Sequence, residues 1–169
     1  MPMHAGLQTI LSTFRDGTVR RFLLAVSLAF WLGGFTFYGA VVVPTGMKVL
    51  GGHVRQGFIT QQVTDWLNLA SLVAIPIILW DIARLWHANG RVWRVVSAGA
   101  WVAMALLQIE LFALHPLLDR LLDPVAREVL DRGRFDVLHR VYLMSQSVQW
   151  AAGVIFVWCA VAAKKIISK

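Results

Sequence analysis

Residues Phe22 to Val43 read FLLAVSLAFWLGGFTFYGAVVV, 22 positions without a charged side chain. At 1.5 Å per residue such a helix crosses a hydrocarbon core of roughly 30 Å. Val141 to Ala163 adds a second charge-free run of 23 residues, and two weaker runs lie between them, near Val63–Leu85 and Val95–Leu114. The pattern predicts an all-α integral membrane four-helix bundle, a single four-span domain over 1–169 with spans near 22–43, 63–85, 95–114 and 140–163.

Composition points the same way: 58% of the chain is hydrophobic, only 15% is charged, and the mean hydropathy is +0.65. Lipid is therefore the expected surroundings for most of the surface. The net charge of +7 does not imply nucleic acid, because the basic residues flank apolar runs and line no single polar face. Cys159, alone in the chain, cannot form an internal disulfide and reads as a packing thiol in the last span.

Arg20 and Arg21 before an apolar stretch imitate a secretory leader. The stretch is too long for a leader core and shows no small-x-small cleavage pattern between Phe37 and Pro44, so an uncleaved first span is expected. Ahead of it Leu7, Ile10, Leu11 and Phe14 fall at helical spacing and suggest a short amphipathic surface helix ending at Asp16-Gly17. The second span has a charge-free part of only 15 residues, Trp66 to Trp80, and contains Pro76, which a membrane helix tolerates as a kink. Extending it places Asp65 and Asp81 near opposite interfaces, with Arg84 snorkelling and Trp66, Trp80 and Trp86 in the aromatic belts. The third span follows Arg91 and Arg94 and is expected to end at His115-Pro116. Gly33-Gly34 and the Gly99/Ala103 pair suggest close helix packing.

Basic residues assign the orientation. Arg15, Arg20, Arg21, Arg84, Arg91, Arg94, Lys164, Lys165 and Lys169 fall on one side, nine in all, against seven on the other. Five of those seven precede span four and are interleaved with Asp119, Asp123, Glu128, Asp131 and Asp136. The positive-inside rule then puts both termini in the cytoplasm. On the opposite face, Leu117, Leu118, Leu121, Leu122, Val125 and Val129 form an apolar stripe. With Asp123 as N-cap, Pro124 in a first turn and Gly133 as a stop, they predict a broken surface helix packed over the bundle end, which is also where a lid would sit.

Polar residues inside the spans are the functional pointers, since an ionisable group in hydrocarbon costs a few kcal/mol unless paired. They gather at one end, the external one by the charge count. Tyr38 comes from span one, Gln61, Asp65 and Asn68 from span two, and Gln108, Glu110 and His115 from span three. Span four adds His139, Tyr142, Gln146 and Gln149, which follow helical spacing and form one inward stripe with His139 expected at the centre of the cluster. Gln108 and His115, seven apart, share a face, whereas Glu110 points away from His115. Such a cluster can simply join helices by hydrogen bonds. It can also hold a haem or metal, for which His53, His115 and His139 are the available imidazoles, although their spacing is not that of a metal motif.

These residues also carry a family resemblance. Trp31-Leu32-Gly33-Gly34 followed by Phe37 and Pro44, then Gly51, Gly52, Phe58 and Gln61, resembles the small four-span family that includes transmembrane protein 205-like proteins. Pro116, Glu128 and the run Phe135-Asp-Val-Leu-His139 extend the likeness over most of the chain. After that histidine the family shows a small-residue and Asn pattern, whereas this chain has Arg140-Val141-Tyr142 and Gln149. The resemblance implies a four-span bundle of undefined biochemical activity.

There is no P-loop, no His-Glu-x-x-His and no Gly-x-Gly-x-x-Gly after a strand. Three function classes follow. The leading one is a non-catalytic membrane bundle that assembles with itself or with another membrane subunit. The second is a membrane redox or cofactor-binding protein using His115 and His139. The third is an oligomeric transporter or channel subunit with Asp65, Glu110 and the span-four stripe along a polar path.

Overall fold

The structure is a computed structural model that describes residues 17–123, 125–126 and 128–167, with the side chains of residues 53, 54 and 163–167 excepted. Four helical rods, each long and apolar enough to cross a membrane, pack together. The chain is a multi-pass integral membrane protein. The surface helix expected around Leu7, Ile10, Leu11 and Phe14 lies outside the described residues, as do Pro124 and Arg127.

The first rod is α1 (Thr18–Phe37), a π-helical turn (Tyr38–Val42) and α2 (Val43–Leu50). The turn lies just before Pro44, which has no N–H for the carbonyl four residues back and whose ring crowds it; widening the preceding turn accommodates both. The rod therefore runs past the expected end at Val43. It stops at Gly51, whose φ of 71° is the left-handed conformation that favours glycine.

α3 (His53–Leu85) and α5 (Arg132–Ile167) have 33 and 36 residues, and so rise about 50 Å, well beyond the hydrocarbon core. α4 (Arg91–Asp119) continues through Pro116 rather than ending before it. Pro76 sits inside α3, and the Trp101 indole donates to the adjacent Ile75 carbonyl at 3.0 Å, tying α4 to α3 beside the proline.

Between α4 and α5 the chain forms a short antiparallel hairpin, β1 (Leu122–Asp123) and β2 (Glu128–Val129), instead of the broken helix read from its leucine stripe. Asp123 explains the difference. Its carboxylate accepts the amide N–H groups of Val125 at 2.8 Å and Ala126 at 2.9 Å. This is the chemistry of an N-cap, but here it closes a turn, and the Leu130 N–H then reaches back to the Leu121 carbonyl. Leu118 is buried, whereas Leu117 and Val125 are exposed, so the stripe does not cover the bundle end as one face.

The rods pack in the cyclic order α1, α3, α4, α5, and the α5–α1 seam is the slightest contact. The main core, around Leu28, Trp31, Ile78, Met104 and Phe156, fills the half of the bundle away from the hairpin. A smaller group, Leu111, Leu118 and Tyr142, lies at the hairpin end. Phe22, Phe30, Trp66, Leu106, Ile109 and Trp158 are exposed outside, an apolar belt suited to lipid. Close backbone approach occurs at Gly153, where a Cβ would lie 2.8 Å from Leu32 Cδ2 and 3.2 Å from the Trp31 ring. Of the glycines expected at such contacts, a Cβ on Gly34 would meet Leu67 Cδ2 at 3.5 Å, whereas Gly33 and Gly99 have nothing within 4 Å.

Candidate functional site

α1 and α5 touch at Gly153 and again where the Trp150 indole donates to Thr36 Oγ1 at 3.1 Å. Toward the hairpin a cavity of about 490 Å³ opens between them, backed by α3 and α4 and reaching the hairpin at Leu122 and Val129. Its walls are mainly apolar, with Phe35, Val43, Leu67, Leu118, Phe135 and Leu143 among them. This volume lies within the range typical of small-molecule sites, about 300–1,000 Å³.

Polar side chains mark the back and the rim. The π turn holds Tyr38 buried against α3, where its hydroxyl donates to Thr60 Oγ1 at 2.8 Å and accepts from Gln56 Nε2 at 3.2 Å. Gln56, Thr60 and Thr64 recur every four residues and so share one face of α3. The sequence-derived cluster does not include them, although their four-residue spacing carries the signal.

His115 is the hub of the rim. Its Nε2 lies 3.4 Å from Asp65 on α3 and its Nδ1 3.1 Å from Asp119 one turn on. Asp119 also accepts from Gln61 Nε2 at 2.8 Å. An imidazolium donates to both carboxylates, a neutral imidazole to only one. Asp65 is largely exposed, so this clasp sits at the water-facing margin, where each contact is worth little in stability.

The α5 stripe faces the interior, as helix phase requires. Asn68 Nδ2 donates to the Tyr142 hydroxyl at 2.9 Å, and the Tyr142 ring meets His115 edge-on with centroids 6.0 Å apart. Gln146 is buried on the cavity wall. His139 also lines the cavity, its ring stacked on Phe135 at 5.4 Å. It is half-buried and enters none of the hydrogen bonds above, so it is not the centre of the cluster; His115 holds that place because α4 continues past Pro116 and brings in Asp119.

Deeper in the bundle lies a separate polar knot. Gln108 Oε1 accepts from the Ser71 hydroxyl and from Gln149 Nε2 at 2.8 Å, and Gln149 Nε2 also reaches the Met104 carbonyl at 3.1 Å. All three side chains are buried, and Gln108 Nε2 finds no partner among the described residues. Glu110 belongs to neither group; it accepts from the Ser145 hydroxyl at 3.1 Å. The expected cluster thus divides into cavity-lining residues (His115, His139, Tyr142, Gln146) with Asp65 held outside the lining against His115, a packing knot (Gln108, Gln149) and an outlying helix contact (Glu110).

No group of three or more His, Cys, Asp or Glu side chains placed to hold a metal ion occurs among the described residues. The His53 side chain lies outside them. Comparisons with protein-family models, curated proteins and solved structures find no match.

Proposed function

We propose that this protein is a non-catalytic membrane bundle that binds a small amphipathic molecule drawn from the bilayer. Both termini are placed in the cytoplasm on the basic-residue count, which puts the cavity in the external leaflet. One observation carries the reading: a cavity of about 490 Å³ with apolar walls and a polar rim, lying in the seam where α1 and α5 separate. A ligand entering from lipid keeps its chain in apolar surroundings and exchanges interfacial water for the rim. Both nitrogens of His115 already face carboxylates, which favours a binding wall over a free general base. Membership of the four-span family suggested by the motifs forms part of this proposal, and so does assembly with a second copy or another membrane subunit.

Purification in a mild neutral detergent followed by native mass spectrometry tests the reading. A small molecule retained at roughly one per chain and lost when Leu143→Trp fills the seam is the expected result; no retained species, or retention unaffected by that substitution, overturns it. The cofactor reading rests on His115 and His139 sharing the cavity, and an absorption spectrum with metal analysis of the same preparation decides it. A pore through one chain is disfavoured, because Ile78, Met104 and Phe156 occupy the core on the far side of the Gln108 knot.

A further inference from the structure

Resting on that reading of the cavity, we propose that its ligand is an electrically neutral lipid whose head presents carbonyl or hydroxyl oxygens, received by His139, Tyr142 and Gln146 on α5. Polar groups at the cavity divide into those already engaged and those with bonding capacity to spare. Gln61, Asp119, His115 and Asp65 engage one another, and Tyr38 joins Thr60 to Gln56 Nε2, while Gln56 Oε1 is buried without a partner among the described residues and can accept one bond more. Tyr142 accepts from Asn68 and keeps its own hydroxyl proton to donate. Gln146 and His139 enter neither set, and both line the cavity. Residues 139, 142 and 146 are spaced three and four apart, so one helix face offers three donors in a row. Donors that face an apolar cavity gain most from oxygen acceptors, and a hydroxyl head can in addition donate to Gln56 Oε1, which makes carbonyl and hydroxyl oxygens the matching chemistry.

Charge at the rim selects against a phosphate head. With Asp119 engaged by His115, the remaining ionic groups of the lining among the described residues are Asp136 and Arg132, one of each sign. Phosphate sites converge several cationic or N–H donors on one point, and among the described residues this wall supplies one guanidinium, Arg132, with the Asp136 carboxylate one turn on. Phe35, Val43 and Leu143 flank the seam, so the tail passes between α1 and α5 into the surrounding acyl chains.

The purified full chain in neutral detergent is titrated with dioctanoylglycerol, with a decyl-substituted benzoquinone and with dioctanoyl phosphatidic acid, reading thermal stabilisation and mutual displacement. At least one neutral lipid should bind at least about tenfold more tightly than the phosphatidic acid, and which one binds identifies glyceride or quinone as the source of the oxygens. Tyr142→Phe and Gln146→Leu should each weaken neutral-lipid binding by about tenfold, the value of one hydrogen bond. Asp136→Lys should admit phosphatidic acid, a gain that misfolding cannot imitate. Phosphatidic acid binding as tightly as the neutral lipids overturns the neutral head, and unchanged affinity in both α5 variants overturns its recognition by that stripe, while the cavity reading survives either result. If none of the three lipids binds and the native preparation retains nothing, the cavity reading itself falls.

Discussion

Arg20 on α1 pairs with Asp81 on α3 at the end of the bundle opposite the cavity, and both side chains are buried, at 5% and 2% residue exposure. A buried charge that loses its partner keeps its desolvation penalty. Asp81→Ala should therefore cost about 3–5 kcal/mol, whereas the double replacement Arg20→Met with Asp81→Met should come close to neutral. Equilibrium unfolding of the two single variants and the double variant in mixed micelles measures this, and a double variant less stable than Asp81→Ala alone would contradict it.

Gln108 and Gln149 join α4 to α5 by one hydrogen bond at 2.8 Å. Interhelical hydrogen bonds of this kind contribute about 0.5–2 kcal/mol, because the separated helices also find partners. A double-mutant cycle with Gln108→Leu and Gln149→Leu should return a coupling in that range. Coupling indistinguishable from zero would mean that the knot is packing alone.

Gly153 and Gly33 lie in the same apolar setting yet should respond in opposite directions. Gly153→Val drives its side chain into Leu32 and Trp31 and should lose about 1–3 kcal/mol. Gly33→Ala meets open space and should gain up to about 1 kcal/mol from helix propensity. Thermal melting of both proteins gives the comparison, and its opposite signs are the point at risk.

The Asp123 carboxyl is held below the usual carboxylate range by the backbone N–H groups of Ala126 and Val125. A depressed folded pKa stabilises the turn above the unfolded value of about 3.9 and is lost as pH falls through the folded value. Amide exchange at Val125 and Ala126 should therefore lose protection in acid, once the intrinsic pH dependence of exchange is removed. Asp123→Ala should abolish the change.

Val125 is 92% exposed at the hairpin turn. Four spans put this turn on the side opposite both termini. In a Cys159→Ser background, a membrane-impermeant maleimide should label Val125→Cys from outside intact cells and leave a cysteine placed before α1 unlabelled. Labelling of the two positions from the same side would overturn the four-span topology.

Long-range hydrophobicity alone determined that the chain crosses a membrane four times, since a run such as Phe22–Val43 has no other inexpensive environment. Helix phase determined that Tyr142, Gln146 and Gln149 face inward, because period and polarity are local properties of one segment. What local pattern cannot carry is which partner stands opposite. Arg20 enters the basic-residue count as one charge among nine, and only the packing of α1 on α3 gives it Asp81 as a buried partner. His139 read as the centre of the cluster, yet one more turn of α4 beyond Pro116 made His115 the centre by supplying Asp119. Asp123 accepts the same two amide protons in a helix cap or in a tight turn, so the hairpin was decided by where α4 ended and α5 had to begin. The cavity exists because α1 and α5 touch at Gly153 and part beyond Thr36, a relationship between two helices more than a hundred residues apart that only tertiary packing sets.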